Sequence, residues 1–351
     1  MDLQKILQTA VDTHVSDVFL VAGRPVSFRK HNEVICYGEE ELHPEDTEKL
    51  LRQIYDMTPY RGRYSRLQEK GDDDFSFSIQ GLSRFRISAY RQRGSASAVI
   101  RVIPFTLPDP QERGLPDELI SLGDHSKGMI LVTGPAGSGK STSLACIIDH
   151  INETRANHII TLEDPIEFLH RHKKSLVSQR EIHLDSESYI SALRAALRQS
   201  PDVILLGEMR DYETISVAVT AAETGHLLFS TLHTLGAANT INRIIDVFPA
   251  NQQRQIAIQL SSVLNAVVSQ QLIPSVDGRL VPAFEIMNVT PARRNLIRDN
   301  KVHQIDGIIY SSGKDMRSMD SSLLELYQNG KITEKTALAY AANPDALAKK
   351  L

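Results

Sequence analysis

The 351-residue chain reads as an α/β protein, with a core of alternating strands and helices, a small α+β domain before it and a mostly helical stretch after it. Three observations predict this. A glycine-rich octet stands between an apolar run and a segment able to form a helix. After the octet, strands and helices alternate in the doubly wound manner. Before it, a proline-rich stretch sets off a region of short, alternating segments.

In chain order, residues 15–21, 75–79, 84–90 and 98–103 alternate apolar and polar side chains and predict strands, while 44–55 predicts a helix. These make an α+β domain over residues 1–104 without a catalytic motif of its own. Pro104, Pro108, Pro110, Gly114 and Pro116 punctuate a stretch too proline-rich for a helix or inner strand, and 105–118 reads as the linker. The nucleotide-type core spans 119–290. From Pro291 to residue 351 the pattern is mostly helical, ending in an Ala/Lys-rich tail expected to fray. Ile256, Leu260, Val263, Leu264 and Val267 have helical spacing and predict a core face, as do Ile190, Leu193 and Leu197.

Residues 134–141 read Gly-Pro-Ala-Gly-Ser-Gly-Lys-Ser and fit the phosphate-binding loop G-x-x-x-x-G-K-[ST] at every fixed position. The run 128–133 before it reads as a buried strand and 141–150 as a helix, which is the context the motif requires. Gly134, Gly137 and Gly139 let the backbone curl so that N–H groups converge on a polyphosphate. Pro135, Ala136, Ser138 and Thr142 complete the phosphate site. Lys140 can reach the β- and γ-phosphates, and the Ser141 hydroxyl can ligate Mg²⁺. The chain is therefore expected to bind a nucleoside triphosphate, ATP, with Mg²⁺.

Three further blocks follow. Residues 159–168 read Ile-Ile-Thr-Leu-Glu-Asp-Pro-Ile-Glu-Phe, a strand broken at Pro165, so that Glu163, Asp164 and Glu167 fall at its carboxyl end. Hydrolysis needs one carboxylate to orient or deprotonate water and another to hold the metal's water shell; in isolation the same acids would read as a solvated turn. Residues 202–210, Asp-Val-Ile-Leu-Leu-Gly-Glu-Met-Arg, resemble a Walker B strand in which the usual Asp-Glu is Gly207-Glu208. Glu208 alone is expected to act on Mg²⁺ through a bound water. Residues 225–234 carry His226 and His233 on either side of an apolar strand. No Cys or third His stands at zinc-ligand spacing. Spacing leaves two readings open: structural histidines, or His233 delivered to the nucleotide as a γ-phosphate sensor.

A net charge of −4 gives no general attraction to nucleic acid or anionic lipid. Cys36 and Cys146 stand far apart, which excludes a zinc ribbon or disulfide framework and suits a reducing cytosol. The start, Met1-Asp2-Leu3-Gln4-Lys5, lacks signal-peptide features, and no apolar run is long enough to cross a bilayer. No direct membrane insertion is expected. Arg171-His-Lys-Lys174 and the 61–66 run Arg-Gly-Arg-Tyr-Ser-Arg are basic but short, and read as solvated surface.

The loop, Thr161-Leu-Glu-Asp-Pro-Ile-Glu167, Gly207-Glu-Met-Arg-Asp211 and Ala221-Ala-Glu-Thr-Gly-His226 with Thr231-Leu-His-Thr234 occur in the order seen in the secretion-type hexameric ATPases of type II secretion and type IV pili. The resemblance covers nearly the whole chain and is strongest to the pilus retraction (twitching motility) branch. That branch has a short N-terminal domain, no four-cysteine zinc insertion, and a helix similar to Pro291-Ala-Arg-Arg-Asn-Leu-Ile-Arg-Asp299. Arg293 stands where that helix usually has Ile, placing a charge on a face expected to be apolar, and Asp299 where it has Glu. Ser16-Asp17-Val18-Phe19-Leu20 resembles the family's N-terminal strand, with Phe19 in place of His.

The resemblance implies a RecA-like P-loop core, a PAS-like N-terminal domain and a homohexamer with ATP between subunits. It implies Glu167 as the water-activating carboxylate, Glu163 as runner-up and Asp164 in support. Glu208 would tune Mg²⁺, and His226 and His233 would form a histidine box. Arg86 and Arg101 match arginines that reach a neighbour's γ-phosphate, a role suited to a permanently charged, bidentate guanidinium. The implied partners are an inner-membrane pilus platform protein and other pilus machinery, at the cytoplasmic face of the inner membrane. Two alternatives differ in what they predict. An extension or type II secretion ATPase would carry more N-terminal sequence and the cysteine insertion. A nucleic-acid-stimulated RecA-like motor would need phosphate contacts that this acidic chain is poorly equipped to make.

Overall fold

The structure, a computed structural model, describes residues 2–30, 33–58, 63–103, 107–311 and 316–351. The chain forms two compact units, Met1–Thr106 with Glu167–Leu169, and Leu107–Ile166 with His170–Leu351.

The first unit begins with α1 (Leu3–Asp12), β1 (Asp17–Leu20), β2 (Ser27–Lys30) and β3 (Glu33–Cys36). It continues through α2 (Pro44–Asp56), α3 (Arg63–Lys70), β4 (Asp72–Ile79), β5 (Ser83–Gln92) and β6 (Ser95–Ile103). Among the described residues its strands form one sheet in the order β3-β2-β1-β6-β5-β4, all neighbours antiparallel. The two-residue period sorts the side chains. Val18, Leu20, Phe85, Ile87, Ala98 and Ile100 are buried, whereas Arg86 and Arg101 lie on the other face. Helix α2 starts where Pro44 fits the first turn and Asp46 accepts from the His43 N–H. Residues 61 and 62 of the basic 61–66 run lie outside the described residues. Arg63 and Arg66 of that run pair with the buried Asp73.

The second unit contains α4 (Asp117–Ile120), a 3₁₀ turn (Ser121–Asp124), β7 (Gly128–Thr133), α5 (Lys140–Thr154), β8 (His158–Glu163) and β9 (Leu176–Glu181). Next come α6 (Tyr189–Ala196), β10 (Val203–Leu206), α7 (Tyr212–Glu223), β11 (Leu227–Leu232), α8 (Ala237–Asp246) and α9 (Ala250–Val263). The hairpin β12 (Leu264–Pro274) and β13 (Leu280–Asn288) precedes α10 (Pro291–Arg298), α11 (Gln304–Ser311) and β14 (Met316–Arg317). Helices α12 (Met319–Gln328), α13 (Glu334–Tyr340) and α14 (Pro344–Ala348) end the chain.

The strands of this unit run β14-β13-β12-β7-β11-β10-β8-β9. From β12 to β9 every neighbour is parallel. Helices cover both faces, so the inner strands are apolar throughout. Met129 and Leu131 of β7 pack with residues of α6 to α11, while Ile130 and Val132 pack with α4 and α5.

Two expectations are corrected here. The residues Ile256, Leu260, Val263, Leu264 and Val267 are all buried, but the helix ends at Val263 and Leu264 opens β12; β12 is buried on both faces, so its apolar residues extend the helical spacing without marking the change. The tail does not fray. Leu347 is buried with Ile273, Ala283, Leu323 and Ala337, and the Asp320 carboxylate accepts from the N–H groups of Ala342 and Asn343. Of the proposed linker at 105–118, residues 105 and 106 lie outside the described residues, while 107–118 group with the second unit and bury Leu115.

Arg293 is buried despite its charge, because its guanidinium donates to the Asn288 carbonyl at 2.6 Å. Arg294 donates to the carbonyls of Ser261 and Ser262 at the end of α9, groups a helix leaves without intrahelical partners. No helix among the described residues is long and apolar enough to cross a membrane.

Candidate nucleotide site

Strand β7 runs directly into the glycine loop, and α5 begins at Lys140. Gly134, Gly137 and Gly139 all have positive φ, and two of them are also sterically closed. A Cβ on Gly134 would lie 2.2 Å from the Gln270 carbonyl oxygen, and one on Gly139 would lie 2.8 Å from the Gln270 side-chain nitrogen. Gln270, on β12, is buried and its Oε1 accepts from Ser143 Oγ at 2.8 Å. It clamps the loop from below, a role no motif announces. It stands in the polar triplet Ser269-Gln270-Gln271 of β12, which nothing in the sequence ties to the loop.

Lys140 is buried, and its ammonium donates to the Gly134 and Pro135 carbonyls, both at 2.8 Å. The charge thus sits inside the loop's curve, where a phosphate can take over those donors. Pro135, Ala136 and Gly137 are exposed, as is Ser141, while Ser138 is buried with its hydroxyl unpartnered. Thr142 and Gly139 border a cavity of about 600 Å³, with Arg113, Leu272 and Leu280 also in its wall. That is room enough for a nucleoside beside the phosphate loop.

Because the strands are parallel, their carboxyl ends share one edge, the side on which open α/β sheets bind ligands. In spatial order from the loop come His233 after β11, Glu208 after β10 and Glu163 at the end of β8. Glu163 accepts from Thr161 Oγ1 at 2.6 Å and from Gln179 Nε2 at 3.2 Å. Glu208 is largely buried. Arg210 lies 2.6 Å from its Oε1, and His233 Nε2 3.6 Å from its Oε2. Asp164 is exposed, with His183 at 3.8 Å.

The missing Walker B aspartate has a steric explanation. A Cβ on Gly207 would meet the Tyr189 hydroxyl at 2.7 Å and the Leu162 carbonyl oxygen at 3.1 Å. Burial, then the nearby Asp164, Glu208 and Glu163 carboxylates, push the Tyr189 phenol well above its ordinary range, so it stays a neutral donor among the acids.

One expected residue is placed elsewhere. His226 stands at the amino end of β11, with Nδ1 2.8 Å from the Ala221 carbonyl oxygen. The six residues of β11 put it roughly 20 Å from the loop's edge, so the structure does not bring it to the phosphate loop of its own chain. Glu167 is exposed and belongs to the three residues that group with the first unit. The peptide before Pro165 is cis, and the next residue, Ile166, donates its N–H to the buried Glu181 carboxylate at 3.1 Å. In the first unit, Arg86 and Arg101 face each other across β5 and β6.

Among the described residues no group of three His, Cys, Asp or Glu side chains is arranged to hold a metal. Mg²⁺ keeps water and phosphate oxygens and takes few protein ligands. The Ser141 hydroxyl, the Asp164 carboxylate and Glu208 Oε2, which accepts no hydrogen bond, are hard oxygen donors of the required kind.

Residues 1–303 match the family described as Type II/IV secretion system protein. The chain is 44% identical to the type IV pilus retraction ATPase PilT of Pseudomonas aeruginosa, over 98% of this chain and 99% of that protein. It is 47% identical to a twitching motility protein of Neisseria gonorrhoeae, over 97% and 91% respectively. The crystal structure of the pilus retraction motor PilT with bound ADP is similar over 99% of both chains, with a TM-score of 0.91 and 44% identity.

Proposed function

The chain belongs to the Type II/IV secretion system protein family, and from that premise we infer that it is an ATP-hydrolysing motor driving type IV pilus retraction. The observation that carries this reading is the shared edge on which a complete phosphate loop, Glu163, Glu208 and His233 stand side by side. The full-length similarity to a pilus retraction ATPase supports the direction of the motor.

In the proposed reaction a water oxygen bonds to the γ-phosphorus as its bond to the β–γ bridging oxygen breaks, giving ADP and inorganic phosphate. The water's proton passes to a carboxylate, Glu167 by family resemblance or Glu163 by its place on the edge. Lys140 exchanges its loop carbonyls for the β- and γ-phosphate oxygens, and the loop N–H groups hold the rest of the polyphosphate. Mg²⁺, when bound, would neutralise developing phosphate charge; Ser141, Asp164 and, through water, Glu208 would hold it. His233, beside Glu208, would sense the γ-phosphate.

We further propose a homohexamer in which Arg86 and Arg101 of one subunit reach the nucleotide of the next. Such arginines contribute on the order of 10³–10⁵ in rate. ATP-driven closure around the ring would act on a platform protein at the cytoplasmic face of the inner membrane.

Deleting the gene in its host should give excess surface pili and abolish twitching, unrescued by Lys140→Ala. Loss of pili would make the chain an extension motor, and unchanged pili and twitching would remove the pilus assignment. In the purified protein, Glu167→Gln should keep ATP binding and collapse turnover; turnover at the parent rate would move the base to Glu163.

A further inference from the structure

The proposed function leaves Ser16-Asp17, at the start of β1, without a role. Across the sheet of the first unit, facing residues form one row: Arg29 on β2, Asp17 on β1, Arg101 on β6, Arg86 on β5 and Ser76 on β4. Three guanidinium groups and one carboxylate therefore share a line. Arg86 and Arg101 stand directly opposite each other, a like-charge pairing that is unfavourable by itself.

Asp17 offsets this repulsion from the far side of Arg101. Arg101 Nε donates to its Oδ1 at 3.2 Å, Arg29 Nε lies 3.7 Å from its Oδ2, and Ser16 Oγ donates to Oδ2 at 2.8 Å. The Asp17 side chain is only 8% exposed, whereas that of Arg101 is 63% exposed. The carboxylate is the fixed end of the pair and the guanidinium the outward end. The bond from Arg101 uses Nε, which leaves the outer nitrogens for a bidentate contact with phosphate.

We propose that Asp17 is the positioning residue for Arg101: a buried carboxylate, pinned by Ser16 and shared with Arg29, that holds the Arg101 guanidinium extended from the sheet toward a nucleotide phosphate on a neighbouring subunit. This rests on the reading of Arg101 as an arginine acting between subunits. Arg29 competes for the same carboxylate from the other side. A flexible arginine is thereby ordered before the phosphate arrives, and misplacement of such a group by about 1 Å can lower rate on the order of 100-fold.

The test is ATP turnover by the assembled full-length protein carrying Asp17→Asn, Arg101→Ala or both, with melting temperature and nucleotide affinity measured alongside. Asp17→Asn should lower kcat roughly 10- to 100-fold with melting temperature and KM nearly unchanged. Added to Arg101→Ala it should change nothing, because it acts through that arginine. Asp17→Glu should restore most of the lost kcat. If Asp17→Asn turns over at the parent rate, or slows Arg101→Ala as much as it slows the parent, Asp17 does not position Arg101. If Arg101→Ala itself keeps parent turnover, the arginine reading falls and this proposal with it. Should Asp17→Asn fail to fold, Asp17→Ser is read against the same Arg101→Ala background.

Discussion

The two edges of the parallel sheet use similar side chains to different ends. At the amino edge they serve the fold: the His226 ring lies against the Ala221 carbonyl oxygen, and Asp202 accepts from the His158 N–H at 2.7 Å. At the carboxyl edge Glu208 keeps a buried oxygen that accepts no hydrogen bond, and the exposed His233 lies 3.6 Å from it. A histidine before a strand and one after it look alike in sequence. Strand direction separates them, because in a parallel sheet only one edge adjoins the phosphate loop.

The largest expected effect tests that contrast directly. His233→Ala should lower ATP turnover by about 100-fold, the low end of what a positioned catalytic side chain contributes. His226→Ala should leave turnover within about a factor of two and lower unfolding free energy by about 1 kcal/mol, the worth of a typical hydrogen bond. Turnover and denaturant unfolding of both variants decide the matter. If His226→Ala loses as much turnover as His233→Ala, the division between the edges is wrong.

A smaller effect sharpens why this carboxyl edge carries one acid after β10 and not two. Gly207→Ala places a methyl 2.7 Å from the Tyr189 hydroxyl, and overpacking of this kind costs about 1–3 kcal/mol. In a Tyr189→Phe background the nearest oxygen is gone and the Leu162 carbonyl at 3.1 Å remains, so the cost of Gly207→Ala should fall. Unfolding free energies of the four proteins measure the difference. An equal cost in both backgrounds would show that the hydroxyl does not close the position.

These contrasts also mark where the sequence stopped being informative. The strand into the glycine loop was legible to its end residues, Gly128–Thr133, because a turn motif and a helix start bound it. The helix at 44–55 was legible because Pro44 and the capping acid announce its start. The switch from α9 to β12 at Leu264 was not, since an element buried on both faces shows no periodicity. Gln270 and Tyr189 escaped notice because their roles arise from contacts across the fold, with residues 131 and 18 positions away in the case of Gly139 and Gly207 respectively. The position of Glu167 depends on how the chain turns after Pro165, which strand patterning does not encode.

The smallest effect on turnover concerns a third histidine, His170, which separates burial from edge chemistry. It lies on the connection between β8 and β9, its N–H donating to Gln179 Oε1 at 2.8 Å. Its ring is pushed down to about 4, chiefly by burial, with Lys173 adding to the fall and Asp149 opposing it. In the unfolded chain the ordinary value is about 6.5. Between these values the unfolded chain takes up the proton more readily, so the folded state loses stability as pH falls from about 6.5 toward 4 and gains nothing from His170 above that range. His170→Phe removes the titration and should flatten that part of the acid limb, while ATP turnover at neutral pH changes little. Denaturation midpoints at pH 7.5, 6 and 5 for parent and variant test it; parallel decline of the two would assign the acid sensitivity to other groups and leave His170 a packed ring without a pH signature.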